Sequence, residues 1–386
     1  MNKIRVIELF AGYGSQHLAL KRLKRDHPDF EYEVVSFCEI DGNAVRAYRA
    51  LHGDKIPNLG DITGVNPSDV PDCDLMTWSF PCTDISSAGQ QKGLAEGSNT
   101  RSSLCWDAIH IFEEKRPKYL LMENVSGLVS KRFINDFDNL QSTLSGLGYT
   151  NFFKIINSKD MGVPQNRKRL FMVSVLGDGA NYSFPAPVPL EKDVTQLLED
   201  SVDERYYLSA ERVCDLISKV RDTEEHRLRN VLGWTRDRKG VVVDYHTVDV
   251  ANCVTANKRD NTCNYVMERH FLNGDKDGNA STLTTSHDFA GNITTPKGGH
   301  KQMGVLEIKK FDTNELVRVR KLTEREYFRI MDVDEKDIDA LLTSGVPNTQ
   351  LAKLAGNSIV VNVLYHIFRT MFIDTGKTEG TQTSLF

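Results

Sequence analysis

Cys82 follows an apolar run in Phe80-Pro81-Cys82, and Glu123 follows another in Glu123-Asn124-Val125. Placed at the carboxyl edge of one sheet, a cysteine and a carboxylic acid supply a nucleophile and a proton donor to a single substrate. Gln165-Asn166-Arg167-Lys168-Arg169 brings two arginines, Arg167 and Arg169, to the start of a further run, adding groups that bind anions or ring carbonyls. A free cysteine taken singly is more often a buried hydrophobe than a reactive group. The company of Glu123 and the arginines makes Cys82 a candidate.

A second constellation belongs to ligand binding. Phe10-Ala11-Gly12-Tyr13-Gly14-Ser15 is a glycine turn between a strand and a helix, where backbone amides converge as in nucleotide pockets. The pattern departs from GxGxxG because His17 stands at the third glycine position, and GxG alone also suits a plain turn. Glu39, 25 residues after Gly14, sits at the end of the second run, where a carboxylate accepts from a ribose diol. Asp61, in Gly60-Asp61-Ile62, is placed to accept from an adenine amino group or to cap a turn, with no preference between the two.

These residues need a scaffold, and the apolar runs provide one. Arg5 to Phe10, Val34 to Cys38, Asp74 to Ser79, Lys118 to Met122 and Arg169 to Val175 read as buried strands alternating with helical patterns. Phe133, Phe137, Leu140, Leu144 and Leu147 form one helix face closed by Gly148. The expectation is an α/β fold with a largely parallel, doubly wound sheet. Three prolines in Phe184 to Pro189 mark a crossing out of this first unit. Beyond them, Ala251 to Ala256 and Ala280 to Thr285 look like strands with turns, and between residues 205 and 305 basic residues outnumber acidic ones by two. The last helical pattern, Val360, Leu364, Ile367 and Met371, follows Gly356-Asn357-Ser358, with Ser358 read as its cap. Glu326 and Arg329, three apart, read as an intrahelical or hinge ion pair.

Composition bounds the rest. A chain of 386 residues with 40% hydrophobic and 26% charged residues can bury a sizeable core, which excludes a disordered chain or a mini-protein. The net charge of -5 argues against indiscriminate coating of nucleic acid. Seven cysteines, an odd number without a CxxC pair, suggest neither a disulfide framework nor a zinc site, so no metal is expected and a reducing cytoplasm is the expected location. No apolar run approaches the ~20 residues of a membrane span, and none is expected.

Taken in order, these motifs resemble the cytosine-C5 DNA methyltransferases of the bacterial and phage restriction-modification type. The resemblance implies S-adenosylmethionine as cofactor. Phe10, Gly12 and Gly14 lie in the loop at its methionine end, Glu39 is the ribose acid, Ile40 takes the place of an adenine-covering residue, and Asp61 and Ile62 contact the adenine. Pro81 and Leu104 flank the cofactor, and Asn357 and Ser358 add contacts from the last motif. Cys82 is then the nucleophile and Glu123 the acid, with Arg169 and Arg167 on the ring carbonyl or a phosphate. Arg320-Lys321-Leu322-Thr323 with Glu326 and Arg329 matches the penultimate motif. Ser15 departs from a usual glycine, Ile40 from a common aromatic and Thr83 from a usual glutamine. None of these removes a reacting group.

The family's chemistry accounts for the residue types. Cytosine C5 is a poor nucleophile until a thiolate adds at C6, and an acid at N3 stabilises that adduct. The resemblance further implies a Rossmann-like methyltransferase domain over 1-186, completed by a C-terminal helix at 350-374. A smaller strand- and loop-rich target-recognition domain covers 187-318, a hinge 319-349 and a frayed tail 375-386. Arg227, Arg229, Arg236, Arg238, Asn257, Lys258 and Arg259 are candidate base readers, though phosphate contact suits each as well. Thr282 to Thr284 resembles a threonine-rich strand near the phosphates. The implied partner is double-stranded DNA, bound by a monomer, with any restriction endonuclease encoded separately and no membrane involved. An RNA (tRNA) cytosine-C5 methyltransferase and a catalytically silent DNA-binding relative stay open, the latter requiring loss of Cys82 or Glu123. A nicotinamide dehydrogenase explains neither Pro81-Cys82 nor the paired arginines.

Overall fold

The computed structural model describes residues 3–85, 93–95, 97–98, 100–178, 180–209 and 319–374 with their side chains, and between 210 and 318 the backbone of the strands. The first sheet holds β1 (Ile4–Leu9), β2 (Tyr32–Cys38), β3 (Leu75–Trp78), β4 (Tyr119–Val125), β5 (Tyr149–Asn157) and β7 (Lys168–Leu176) in the order β2-β1-β3-β4-β7-β5. β2, β1, β3 and β4 run parallel, β7 is antiparallel to β4, and β5 is antiparallel to β7.

Alternation along these strands splits the apolar residues between two cores, one on each face. Val6, Leu75, Leu121, Phe171 and Val173 join one core; Ile7, Met76, Leu120, Met122, Leu170 and Met172 join the other. On the first face lie α1 (Ser15–Asp26), α2 (Gly42–His52) and the last helix, and on the second lie α3 (Cys105–Lys115) and α4 (Ile134–Gly146). The doubly wound expectation holds, and α4 carries the face built from Phe137, Leu140 and Leu144. The sequence reading missed β5, an edge strand whose exposed Lys154 and half-buried neighbours break the apolar run by which the central strands are recognised.

Beyond the prolines the chain stays on the first core, where Val194 and Leu198 are buried. A second sheet, mostly antiparallel, has the order β13-β14-β12-β9-β10-β8, from β8 (Val220–Asp222), β9 (Arg229–Arg236), β10 (Val242–Val248), β12 (Tyr265–Phe271), β13 (Leu306–Glu307) and β14 (Glu315–Lys321). β6 (Gln165–Asn166) pairs in parallel with β11 (Ala251–Asn252), which joins the two units beside the arginine motif. Arg229 and Arg236 bound β9, while Arg227, Arg238, Asn257, Lys258, Arg259, Thr282 to Thr284, Ala280 to Thr285 and the tail 375-386 lie outside the described residues.

After β14 the chain forms α5 (Glu324–Ile330), α6 (Glu335–Thr343), α7 (Asn348–Asn357) and α8 (Val361–Phe372). Glu326 and Arg329 do not pair with each other. Glu326 takes two hydrogen bonds from Arg320, both 2.8 Å, with both side chains fully buried, and Arg329 reaches Glu335 at 2.6 Å. The capping box of Thr323 and Glu326 turns the Glu326 carboxylate back toward β14, which sets this choice of partner. α8 packs on α1 through Leu364, Ile367, Phe368 and Met371. Asn348–Phe372 is the one stretch among the described residues long and apolar enough to cross a membrane, and it is broken into α7 and α8 with most of its side chains in the core.

Candidate active site

Three backbone positions bend the chain after β1: Phe10, Gly12 and Gly14 have φ of 56, 58 and 81°. Glycine adopts this region without strain, whereas Phe10 does so at a cost that usually marks a constrained loop. The loop is held at once by Glu39, whose Oε2 accepts from the Gly12 N–H at 2.9 Å and whose Oε1 accepts from Ile40 and Asp41 N–H at 2.9 and 2.8 Å. Carboxylate oxygens carry further lone pairs, so Glu39 can still accept from a diol. Asn58, which sequence reading missed, links Glu39 to the next loop: its amide exchanges hydrogen bonds with the Glu39 backbone and accepts from Gly60 N–H. Asp61 caps the short turn after it by accepting from the Thr63 N–H and hydroxyl, leaving Ile62 buried. Ile40 beside Glu39 is 68% exposed, an apolar side chain turned largely to solvent.

A cavity of about 370 Å³ opens between that turn and the start of α3, lined by Thr63, Thr100, Leu104, Trp106, Asp107 and His110 among others. The half-buried Leu104 thus stands on its wall.

The reacting groups converge at the next two strand ends. Asn124 donates to the Phe80 carbonyl at 3.2 Å and so ties the end of β4 to the Phe80-Pro81-Cys82 turn. Ser102 brackets Cys82, donating to the Pro81 carbonyl at 2.7 Å and accepting from Asp84 N–H at 3.2 Å, while Asp84 accepts in return from Ser102 N–H. Neither residue carried a sequence signal, because a serine or an aspartate in a polar loop looks like any other until its partner is known. Across from Cys82, the Arg169 Nε lies 3.1 Å from Glu123 Oε1. Burial raises the Glu123 carboxyl above its ordinary range against the pull of Arg169 and Arg167. Burial and the Glu123 charge raise the Cys82 thiol, and the same two arginines oppose them.

Arg167 departs from the expectation of a direct substrate contact. It is buried, and its Nη2 donates to the carbonyls of Gly356 and Ser358, so it anchors the turn between α7 and α8. Ser358 closes α7 and does not cap α8, because the break between the helices falls after it and Val360 takes the cap position. Asn357 is exposed and Ser358 half-buried at that turn.

The class is set first by the fold. The chain is similar to the S. pombe Dnmt2 methyltransferase, with TM-score 0.62 and 19% identity, covering 95% of this chain and 97% of that one. It is similar also to the Entamoeba histolytica methyltransferase EhMeth, with TM-score 0.64 and 14% identity, covering 97% and 99%. This is a Rossmann-like methyltransferase fold. The family model described as C-5 cytosine-specific DNA methylase matches residues 4–372, and the chain belongs to that family. It is 31% identical over 423 residues to the type II methyltransferase M2.ScrFI of Lactococcus lactis subsp. cremoris, covering 96% of this chain and 99% of the relative. It is 27% identical over 442 residues to the orphan methyltransferase M.SPRI of Bacillus phage SPR, covering 96% and 98%. The chain is a DNA cytosine-5-methyltransferase.

Proposed function

We propose that the chain methylates C5 of a flipped-out cytosine in a specific double-stranded DNA sequence through a covalent bond between Cys82 and C6, with S-adenosylmethionine as donor. The observation that carries this reading is the meeting of Cys82, Glu123 and Arg169 at one sheet edge beside the Glu39-held loop.

The residues present fit the donor. Glu39 offers a carboxylate with lone pairs to spare for the ribose, Ile40 an exposed apolar surface for the adenine, and Asp61, Ile62 and Leu104 surround the same end. Phe10, Gly12, Gly14, Pro81, Asn357 and Ser358 complete the donor site. S-adenosylmethionine supplies there an electrophilic methyl group for C5.

Cys82 as thiolate adds to C6, and the electron pair of the C5–C6 double bond moves into the ring. Glu123 protonates or hydrogen-bonds N3, which leaves C5 enamine-like and electron-rich. Arg169 holds Glu123 in place and binds the ring carbonyl. Arg167 keeps the Gly356-Asn357-Ser358 turn against the site and adds positive potential to both reacting groups. As C5 takes the methyl group the N3 proton returns to Glu123; a base then removes H5, the C5–H electron pair re-forms the C5–C6 double bond, and the C6–S bond breaks with its pair restoring the Cys82 thiolate. Extrusion of the base costs a few kcal/mol, which contacts from the unit at 187-318 offset. In this reading 1-186 with 350-374 catalyses, 319-349 is the hinge, and the chain acts as a monomer with any restriction endonuclease encoded separately.

The test is expression in a methylation-deficient host, followed by bisulfite sequencing and mass spectrometry of the base, with Cys82→Ala alongside. 5-Methylcytosine in one short motif, absent with the variant, is the expected result. Unmodified DNA from folded protein would reject DNA as substrate, and methylated RNA in the same cells would reassign it.

A further inference from the structure

Behind the glycine loop lies a buried polar cluster that the chemistry above does not use. His52, the last residue of α2, points its Nε2 at the Tyr13 carbonyl, 3.1 Å away. A carbonyl only accepts, so His52 carries its proton on Nε2. Its Nδ1 is then a buried acceptor with no hydrogen-bond partner among the described residues. A phenylalanine or leucine would fill the same space without stranding a polar atom, so packing alone does not account for an imidazole here.

The ring is fixed from behind. His17 stacks on it, centroids 4.0 Å apart and planes 5° from parallel, and the Tyr48 ring leans on it at 4.5 Å. The Tyr48 hydroxyl donates to the fully buried Glu8 at 2.6 Å and lies 3.4 Å from His17 Nδ1. Burial holds both imidazoles neutral, His17 being pushed down to about 3, so the stack carries no internal charge repulsion. A Cβ on Gly14 would run into the His52 and Tyr48 rings, so His52 as well as the φ of 81° dictates glycine there. The opposite side of the turn is the Gly12 N–H bonded to Glu39. Beneath, the Tyr13 ring packs edge-on against Phe328 at 5.5 Å. The turn is therefore gripped from the end of β2 and from the end of α2.

We propose that His52 is a positioning residue of the methyl-donor site: its ring N–H grips the Tyr13 carbonyl and holds the Gly12–Gly14 turn in the left-handed form that shapes the wall of the donor site. This rests on the reading of that loop as part of the donor site. His17, which stands where a dinucleotide site has its third glycine, is then the backstop that keeps the His52 ring aimed.

Full-length His52→Phe, His52→Gln and His52→Asn are compared with wild type by calorimetric titration with S-adenosylmethionine. Turnover of DNA from a methylation-deficient host at saturating donor and thermal unfolding are measured in parallel. His52→Phe keeps the stacked ring and loses the donor, and it should raise the Kd on the order of tenfold with kcat within about twofold. His52→Gln, whose amide reaches as far as Nε2, should recover most of the affinity; the shorter His52→Asn should not. Wild-type affinity in His52→Phe overturns the proposal, as does lost stability and kcat at unchanged Kd. If His52→Phe does not fold, equal affinities of the Gln and Asn variants overturn it. Glu39→Ala separates the levels: unchanged Kd in that variant removes the loop from the donor site altogether, while a large rise with unaltered His52→Phe rejects His52 alone.

Discussion

Cys82 is held between opposed influences, burial and the Glu123 charge raising its thiol and Arg169 with Arg167 lowering it. The thiolate is the attacking form, so alkylation of Cys82 followed by mass spectrometry should accelerate as pH rises. Glu123→Gln removes the like charge and should speed that alkylation at pH 8, yet methyl transfer should fall by about 10²-fold because the acid is gone. A fall in both rates together would make Glu123 merely structural. Cys82→Ala should abolish transfer while donor and DNA affinity persist, and turnover near wild type would remove Cys82 from its role. Arg169→Leu should slow alkylation at pH 8, the sign expected when a cation beside a thiol is removed.

At the scale of elements, the buried Arg320–Glu326 pair locks β14 to α5. Glu326→Leu strands the Arg320 charge and should cost about 3–5 kcal/mol in denaturant unfolding, whereas a surface pair would cost under ~1. Glu8 gives a pH signature: burial lifts its carboxyl to about 7 from 4.5. The native state keeps a proton there that the unfolded chain has released, so stability falls as pH rises through that window and levels off above it. The unfolding free energy of wild type relative to Glu8→Gln should therefore drop by roughly 3 kcal/mol between pH 4.5 and 8; a flat difference would place the Glu8 titration elsewhere. Legibility followed the same physics. Strands buried on both faces announced themselves as apolar runs, and Cys82 and Glu123 were found because each ends one. β5 at the edge did not. Asn58, Ser102 and His52 each act through hydrogen bonds to residues distant in the chain, which no spacing encodes. Arg320 was passed over as the partner of Glu326 because a strand-to-helix bend, not a helical turn, brings them together.

For the whole molecule, the division between sheets predicts separable functions. Exchanging residues 190 to 315 for a relative's should move the methylated sequence, read by bisulfite sequencing, and an unchanged sequence would locate recognition in the first unit. DNA affinity should fall steeply with salt, log K declining linearly with log salt as phosphate contacts release counterions. α8 covers the same face as α1, although more than 330 residues of chain separate them. Without α8, the core that holds Leu18, Leu20 and Leu23 of α1 loses the Leu364, Ile367, Phe368 and Met371 side chains that close it. A chain cut short before Val361 should therefore be digested faster than the full-length protein in limited proteolysis.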